Sequence, residues 1–177
     1  MTEKIIIAGF GGQGVLLAGK LLCIAAMREG KHVSHIPSYG AEMRGGTANC
    51  QVIISDEEIA SPVVFAPTTV IALNAPSLHK FQDMVVKGGL LIYNSSLIDE
   101  TPERGDVDVV PIDANDISEA QGSNRSANMA AIGKLLSKRP EISSMKSIVA
   151  ALEEAVSARN RKFNEVNEKV LKAGNAA

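Results

Sequence analysis

The chain has 177 residues, 45% of them hydrophobic, which suits one globular domain burying roughly 70% of its unfolded surface. A net charge of −2 gives no electrostatic footprint for nucleic acid, and no apolar run approaches the ~20 residues that cross a bilayer. Aromatic residues make up only 3% with no Trp, so the core has to come from Ile, Val, Leu, Ala and Met. Cys23 and Cys50 are isolated and form neither a disulfide framework nor a metal site. No signal-peptide pattern precedes the first strand pattern, so a reducing cytoplasm is the expected setting.

Ile5-Ile6-Ile7 is a continuous β-branched run, as expected for a strand covered on both faces. The following Gly9-Phe10-Gly11-Gly12-Gln13-Gly14 places a glycine-rich turn between that strand and a helix from Gly12 to about Glu29. Val15, Leu16, Gly19, Leu22, Cys23, Ala26 and Met27 recur there at helical intervals, and Gly30 ends the helix. Lys31 to Ile36 reads as a second strand closed by Pro37. A third spans Ala48 to Ile54. No helix fits between them, so the two should pair antiparallel and make the sheet mixed.

Thr69 to Leu73 is a further buried strand, and Pro76 opens a helix from Ser77 to Val86. Strands follow at Leu90 to Tyr93 and Val107 to Val110, the second limited by Pro111. The last third reads as helical. Asn124 caps a segment from Arg125 to Ser137, another runs from Ser144 to about Ala158, and Phe163, Val166, Val170 and Leu171 mark a final one before Gly174. The pattern predicts an α/β fold: a three-layer, Rossmann-like domain with a mixed, mostly parallel sheet. It predicts one domain over residues 1–177, with residues 174–177 a frayed tail.

Two loops carry the candidate site residues. Gly9, Gly11 and Gly14 fit the G-x-G-x-x-G spacing, and with Gly12 and Gln13 they form a turn whose N–H groups can meet an anion. A tight strand-to-helix turn without a ligand needs the same glycines. NAD is disfavoured, because the second strand ends His35-Ile36-Pro37-Ser38 where a ribose-binding acid is required. The second loop holds Ser38, Tyr39, Gly40, Glu42, Arg44, Gly45 and Gly46. Arg44 suits a phosphate or carboxylate, with an internal ion pair to Glu42 as the bland alternative. Docking against another subunit is a third reading of the same loop. Its glycine content favours function over packing. Ser95 and Ser96 follow a strand end, as ligand residues or simple turn residues. His32, His35 and His79 show no metal spacing. No G-x-S-x-G elbow or Walker A lysine appears, so no catalytic constellation is self-contained here.

Both glycine loops together, with Ser55, Ser61-Pro62, Asn74-Ala75-Pro76 and Asn128-Met129, resemble the gamma subunit of 2-oxoacid:ferredoxin oxidoreductases. The resemblance covers most of the chain and weakens after about Pro140. The version Tyr39-Gly40-Ala41-Glu42-Met43-Arg44-Gly45-Gly46 looks most like 2-oxoglutarate-type enzymes, with branched-chain 2-oxoacid enzymes open and pyruvate disfavoured. It implies a complex that turns 2-oxoacid, CoA and oxidised ferredoxin into acyl-CoA, CO2 and reduced ferredoxin. Thiamine diphosphate, Mg and iron–sulfur clusters are expected on alpha and beta subunits and a ferredoxin-like delta subunit. This chain lacks cysteine runs for clusters. The resemblance leaves it assembly and CoA positioning, with no catalytic residue and no activity in isolation. On this reading Gly11, Gly12, Gln13 and Gly14 line one side of a CoA site, and Tyr39, Glu42 and Arg44 form its edge. Two other readings stay open: a free-standing nucleotide-binding domain for FAD or NAD, and a pure assembly subunit without a ligand. Self-association as a homodimer is expected when partners are absent.

Overall fold

The alternation of β1 (Thr2–Phe10) divides the core between two faces of one sheet. Ile5 and Ile7 point to one cluster, Ile6 and Ala8 to the other, and all are buried. The computed structural model describes residues 1–39 and 47–177. Within them the six-stranded sheet has the order β2-β3-β1-β4-β5-β6. The remaining strands are β2 (His32–Tyr39), β3 (Thr47–Ser55), β4 (Thr69–Ala72), β5 (Leu90–Asn94) and β6 (Asp108–Ile112). β3 runs antiparallel to both β1 and β2, and β1, β4, β5 and β6 run parallel. The sheet is therefore mixed and mostly parallel, as the missing helix between β2 and β3 requires.

The helices are α1 (Val15–Arg28), α2 (Ala75–Phe81), α3 (Ala114–Ala120), α4 (Ala127–Lys138), α5 (Met145–Ala155) and α6 (Asn164–Ala176). Buried residues of α1, α4, α5 and α6 pack on the Ile5/Ile7 face. Leu78 and Phe81 of α2, with Val85 and Ile98, pack on the Ile6/Ala8 face. The result is the expected three-layer α/β fold with unequal outer layers. No described helix is long and apolar enough to cross a membrane.

Several boundaries differ from the sequence reading, each for a physical reason. Pro37 and Pro111 do not end their strands: Pro37 sits in β2 opposite Cys50, and Pro111 in β6 opposite Tyr93. Both strands are edges, where a missing N–H can face away from the ladder. α1 begins at Val15 rather than Gly12, because Gly12 (φ 101°) and Gly14 (φ 72°) are left-handed. α2 stops at Phe81 and gives way to a 3₁₀ turn, Gln82–Met84, instead of reaching Val86. The short α3 was not anticipated. Ser126, not Asn124, precedes the first residue of α4.

The last helix also runs past the Gly174 at which the sequence pattern ends it: α6 continues to Ala176. Gly174 lies where a Cβ would stand 2.6 Å from Ala130 Cα, and Asn175 Nδ2 donates to Gly133 O at 3.1 Å. Gly174 is thus a close-contact residue and not a helix stop. Gly133 of α4 mirrors it, since a Cβ there would stand 2.7 Å from Asn175 N and run into Leu171 O. Glycine inside a helix costs about 1 kcal/mol against alanine, and this backbone approach is what it permits.

On the same face of the sheet, Glu29 at the C-terminal end of α1 holds α5. Glu29 Oε1 accepts from Ser144 N and Ser144 Oγ, both at 2.8 Å, and from Ser143 Oγ at 3.0 Å. Burial works to raise its carboxyl, but the Ser144 N–H and the hydroxyls of Ser147, Ser144 and Ser143 outweigh it and bring it down to about 2.

Two outcomes follow from these contacts. Gly133→Ala should lower stability in urea denaturation by about 1–3 kcal/mol, while Gly105→Ala, with open space around it, stays within about 0.5 kcal/mol. Because the folded Glu29 carboxyl lies below its usual 4.5, its contribution is complete above that pH and is lost as pH falls towards about 2. Glu29→Gln should therefore flatten the stability–pH profile in that window and lower stability at neutral pH. A profile parallel to the parent's would contradict the role given to Glu29.

Candidate functional site

At the end of β1 the chain turns through Gly11 and Gly12, both exposed, and enters α1 at Gly14. Gln13 N donates to Phe10 O at 3.1 Å and closes the turn. The Gln13 side chain completes it: Oε1 accepts from Phe10 N at 2.6 Å and from Asn74 Nδ2 at 3.1 Å, and Nε2 donates to Leu73 O at 3.3 Å. Asn74 Oδ1 in turn accepts from Ser77 N at 2.9 Å and caps α2. Gly9 is needed beneath this arrangement, since a Cβ there would stand 2.7 Å from Gln13 Oε1.

This network lies at the point where helices leave neighbouring strands β1 and β4 for opposite faces of the sheet. Open α/β sheets bind ligands outside such strand ends. Here the Gln13 amide fills the gap from within. Of the sequence-predicted residues, Gln13 thus serves the loop with both ends of its side chain.

Beside the filled gap lies a cavity of about 790 Å³. Gly12, Gly14, Leu17 and Lys20 form its α1 wall, His35 and Pro37 its β2 wall. The segment Gly122–Ser126 and the start of α4 close a third side, and residues from Ala155 to Asn167 a fourth. Gly12 and Gly14 are the predicted residues that line it, while Gly9, Gly11 and Gln13 do not. Sequence reasoning assigned no ligand role to Arg125, Asn160 or Phe163, which lie more than a hundred residues beyond the glycine turn. No local pattern links such distant positions.

The cavity wall is held by buried polar contacts. Asn128 Nδ2 donates to Gly14 O at 3.0 Å, bolting the start of α4 to the start of α1. Ser126 Oγ donates to Asn167 Oδ1 at 2.7 Å, and Ser126 N donates to Ser118 Oγ at 3.1 Å. Ser157, Asn160 and Phe163 line the cavity from the 3₁₀ turn Ala158–Phe163 and its preceding residue. Their i, i+3 spacing puts them on one side of such a turn.

Its electrostatics favour an anion. No Asp or Glu occurs among the described lining residues, whereas Lys20 and Arg125 do. Lys20 Nζ donates to Glu154 O and Ala155 O at the end of α5. Arg125 has no carboxylate partner among the described residues. The first turn of α1 carries no acidic residue and no side-chain cap. His35 Nε2 is buried without a hydrogen-bond partner among the described residues; burial, then the nearby Lys20 charge, lowers its pKa and favours the neutral ring. Burial pushes the thiols of Cys23 and Cys50 up to about 12, so neither is a thiolate nucleophile.

Of the second loop, Ser38 and Tyr39 fall within β2, with Ser38 exposed and opposite Asn49. Gly40, Glu42, Arg44, Gly45 and Gly46 lie outside the described residues. Their flanks are informative all the same. Tyr39 pairs with Ala48, and Thr47 pairs with Phe10 of the first glycine turn. The last residues of β1 and β2 and the first of β3 therefore lie at the same end of the sheet.

Residues 4–177 match the family model described as pyruvate ferredoxin/flavodoxin oxidoreductase. The chain belongs to this family. It is 37% identical to the ketoisovalerate oxidoreductase subunit VorA of Methanothermobacter marburgensis over 97% of its own length, but spans 35% of that relative. The 2-oxoglutarate synthase subunit KorC of the same organism is 36% identical, with 88% of this chain and 85% of the relative covered. Among solved structures, the gamma subunit of a keto/oxoacid ferredoxin oxidoreductase from Geobacter sulfurreducens aligns with TM-score 0.83 and 28% identity over 99% of both chains. The 2-oxoglutarate:ferredoxin oxidoreductase of Magnetococcus marinus, solved with 2-oxoglutarate, coenzyme A and succinyl-CoA bound, aligns with TM-score 0.86 and 25% identity. That alignment covers 99% of this chain and 30% of the neighbour. Members of the family thus carry this fold both as a chain of similar length and as a part of longer ones.

Gly14 is the residue of the turn with the least freedom. Its φ is positive, and a Cβ would stand 2.9 Å from Asn128 Cγ. Gly14→Ala should lower stability by more than about 1 kcal/mol in chemical denaturation, while Gly12→Ala, strained in φ but with open space around it, loses less. Equal losses would show that the Asn128 contact carries no weight.

Proposed function

We propose that the chain serves as a gamma-type subunit of a 2-oxoacid:ferredoxin oxidoreductase that uses 2-oxoglutarate, and that its part is assembly and the positioning of CoA. The observation that carries this reading is that the ends of β1 and β2 and the start of β3 lie at one end of the sheet, beside a cavity with no acidic residue among its described lining. CoA is a polyanion, and backbone N–H groups with a nearby guanidinium suit its phosphates. The KorC relative and the Magnetococcus structure support 2-oxoglutarate. The VorA relative supports a branched-chain 2-oxoacid as the second reading.

The chain's own residues do not fit an iron–sulfur cluster. Such clusters take several thiolates, and Cys23 and Cys50 are both buried with their thiols held protonated. No group of three or more His, Cys, Asp or Glu among the described residues could hold a metal ion. Decarboxylation and electron transfer therefore belong, on this reading, to alpha, beta and delta-type partners carrying thiamine diphosphate, Mg and the clusters. The reaction is 2-oxoacid, CoA and oxidised ferredoxin to acyl-CoA, CO2 and reduced ferredoxin. The complex works in the cytoplasm. The isolated chain is inactive and lacks any NAD or FAD requirement.

Affinity purification of the chain from its host tests the reading. Partners bearing thiamine and clusters should co-purify, and the eluate should reduce ferredoxin or viologen only with CoA and 2-oxoglutarate. Activity on branched-chain 2-oxoacids alone selects the second reading, and a chain that returns without partners or activity overturns both. Within the complex, Arg44→Ala should raise the KM for CoA by roughly tenfold, the order of one charge-assisted hydrogen bond. Unchanged KM, turnover and subunit affinity would remove Arg44 from the CoA site.

A further inference from the structure

The two faces of the sheet are covered unequally, and the thinner layer has a charge and an apolar surface of its own. On the Ile6/Ala8 face α2 packs over β1 and β4, while the β2–β3 half carries the irregular segment 56–68 in place of a helix. That segment is pinned: Val64 N donates to Gln51 Oε1 at 2.7 Å, and Thr68 N donates to Lys4 O at 2.8 Å. Val64 turns into the core at 2% exposed, so its neighbours Val63 and Phe65 are held outward. Phe65 is 81% exposed, the most of any large apolar side chain described, in a chain with four Phe, two Tyr and no Trp. Met84 and Leu97, also exposed, belong to the same layer, which comprises residues 56–68, 75–89 and 95–107. These three segments hold eight of the chain's 20 Asp and Glu but three of its 18 Lys and Arg, which leaves twelve acids against fifteen bases elsewhere. All eight carboxylates are exposed. Asp56 pairs with the N-terminus, Glu100 with His79 and Asp106 with Arg104. Glu57, Glu58, Asp83, Asp99 and Glu103 form no ion pair among the described residues.

We propose that this face docks the chain on another subunit of its complex, with Phe65 entering an apolar pocket of the partner and a basic rim of that pocket meeting the carboxylates. The inference rests on the assembly reading and gives it a surface. An aromatic ring held out by pinned neighbours is already ordered, so burying it on docking costs little entropy. The charge decides the kind of partner. A symmetric pair of copies would set this patch against itself and bring two acidic layers together, which like-charge repulsion opposes. A surface with Lys and Arg around an apolar pocket gains from the same charges, which also speed its approach.

The test measures binding of the full chain to the thiamine- and cluster-bearing subunits purified from its host, by biolayer interferometry. Phe65→Ala should weaken binding about tenfold or more, chiefly through faster dissociation, and Phe65→Leu should lose less. The association rate of the parent chain should fall as salt rises. Glu57→Lys combined with Glu58→Lys should lower that rate at low salt and flatten its salt dependence. Met27→Ala removes an equally exposed apolar side chain from α1 on the other face and should leave binding unchanged. All these side chains are exposed, so the isolated variants should melt with the parent, and sedimentation of the same samples reports self-association. Full affinity in Phe65→Ala, or association indifferent to the charge reversal, overturns the docking face. So does an isolated chain that pairs with itself through Phe65 while its affinity for the other subunits ignores the variant. The two readings fail separately. Subunits that bind the parent and the Phe65 and Glu57/Glu58 variants equally keep the assembly reading and remove this face from it, whereas a parent chain that binds none of them removes both.

Discussion

The hydrogen bond from Asn128 Nδ2 to Gly14 O joins two elements more than a hundred residues apart, and the geometry of the candidate site depends on it. It is possible because Gly14 has no side chain: the space a Cβ would take is occupied by the Asn128 amide. The left-handed φ of Gly14 aims its carbonyl, and the same residue starts α1. One glycine therefore sets the direction of α1, the approach of α4 and one wall of the cavity. A substitution at this point acts on fold and site together.

The turn that precedes it shows how the fold separates support from ligand space. Gln13 turns inward and joins β1, β4 and the cap of α2 through a single amide. This occupies the gap at which parallel α/β sheets commonly bind ligands, and the open volume lies to the side, under α1. Asn94 extends the support, donating to Leu73 O at 3.3 Å and to Asn115 Oδ1 at 2.8 Å. Satisfied amides of this kind hold strand ends in register at little cost, because each donor and acceptor has a partner.

Electrostatics then give the open side its character. The whole chain is slightly acidic, yet its cavity wall is cationic or neutral among the described residues. The family relatives named for ketoisovalerate and for 2-oxoglutarate both align over most of the chain. A fold shared between enzymes named for different oxoacids does not by itself discriminate between them.

Much of the architecture was legible locally. The Ile5-Ile6-Ile7 run marked a strand buried on both faces, the glycine spacing marked the turn, and the short Pro37-to-Ala48 interval required an antiparallel pair. These depend on periodicity and backbone freedom, which act over a few residues. The errors share one cause. Pro37 and Pro111 looked like strand ends because proline removes a donor, but whether that donor is missed depends on which strand lies at the sheet edge. Gly174 looked like a helix stop because glycine favours one, but α4 packs against it and α6 continues. Of the candidate site, Gly12 and Gly14 could be named from sequence, whereas Arg125, Asn128 and Phe163 join them only once α4, α5 and α6 close over α1. Their convergence is set by packing between segments remote in the chain, and no short-range pattern encodes it.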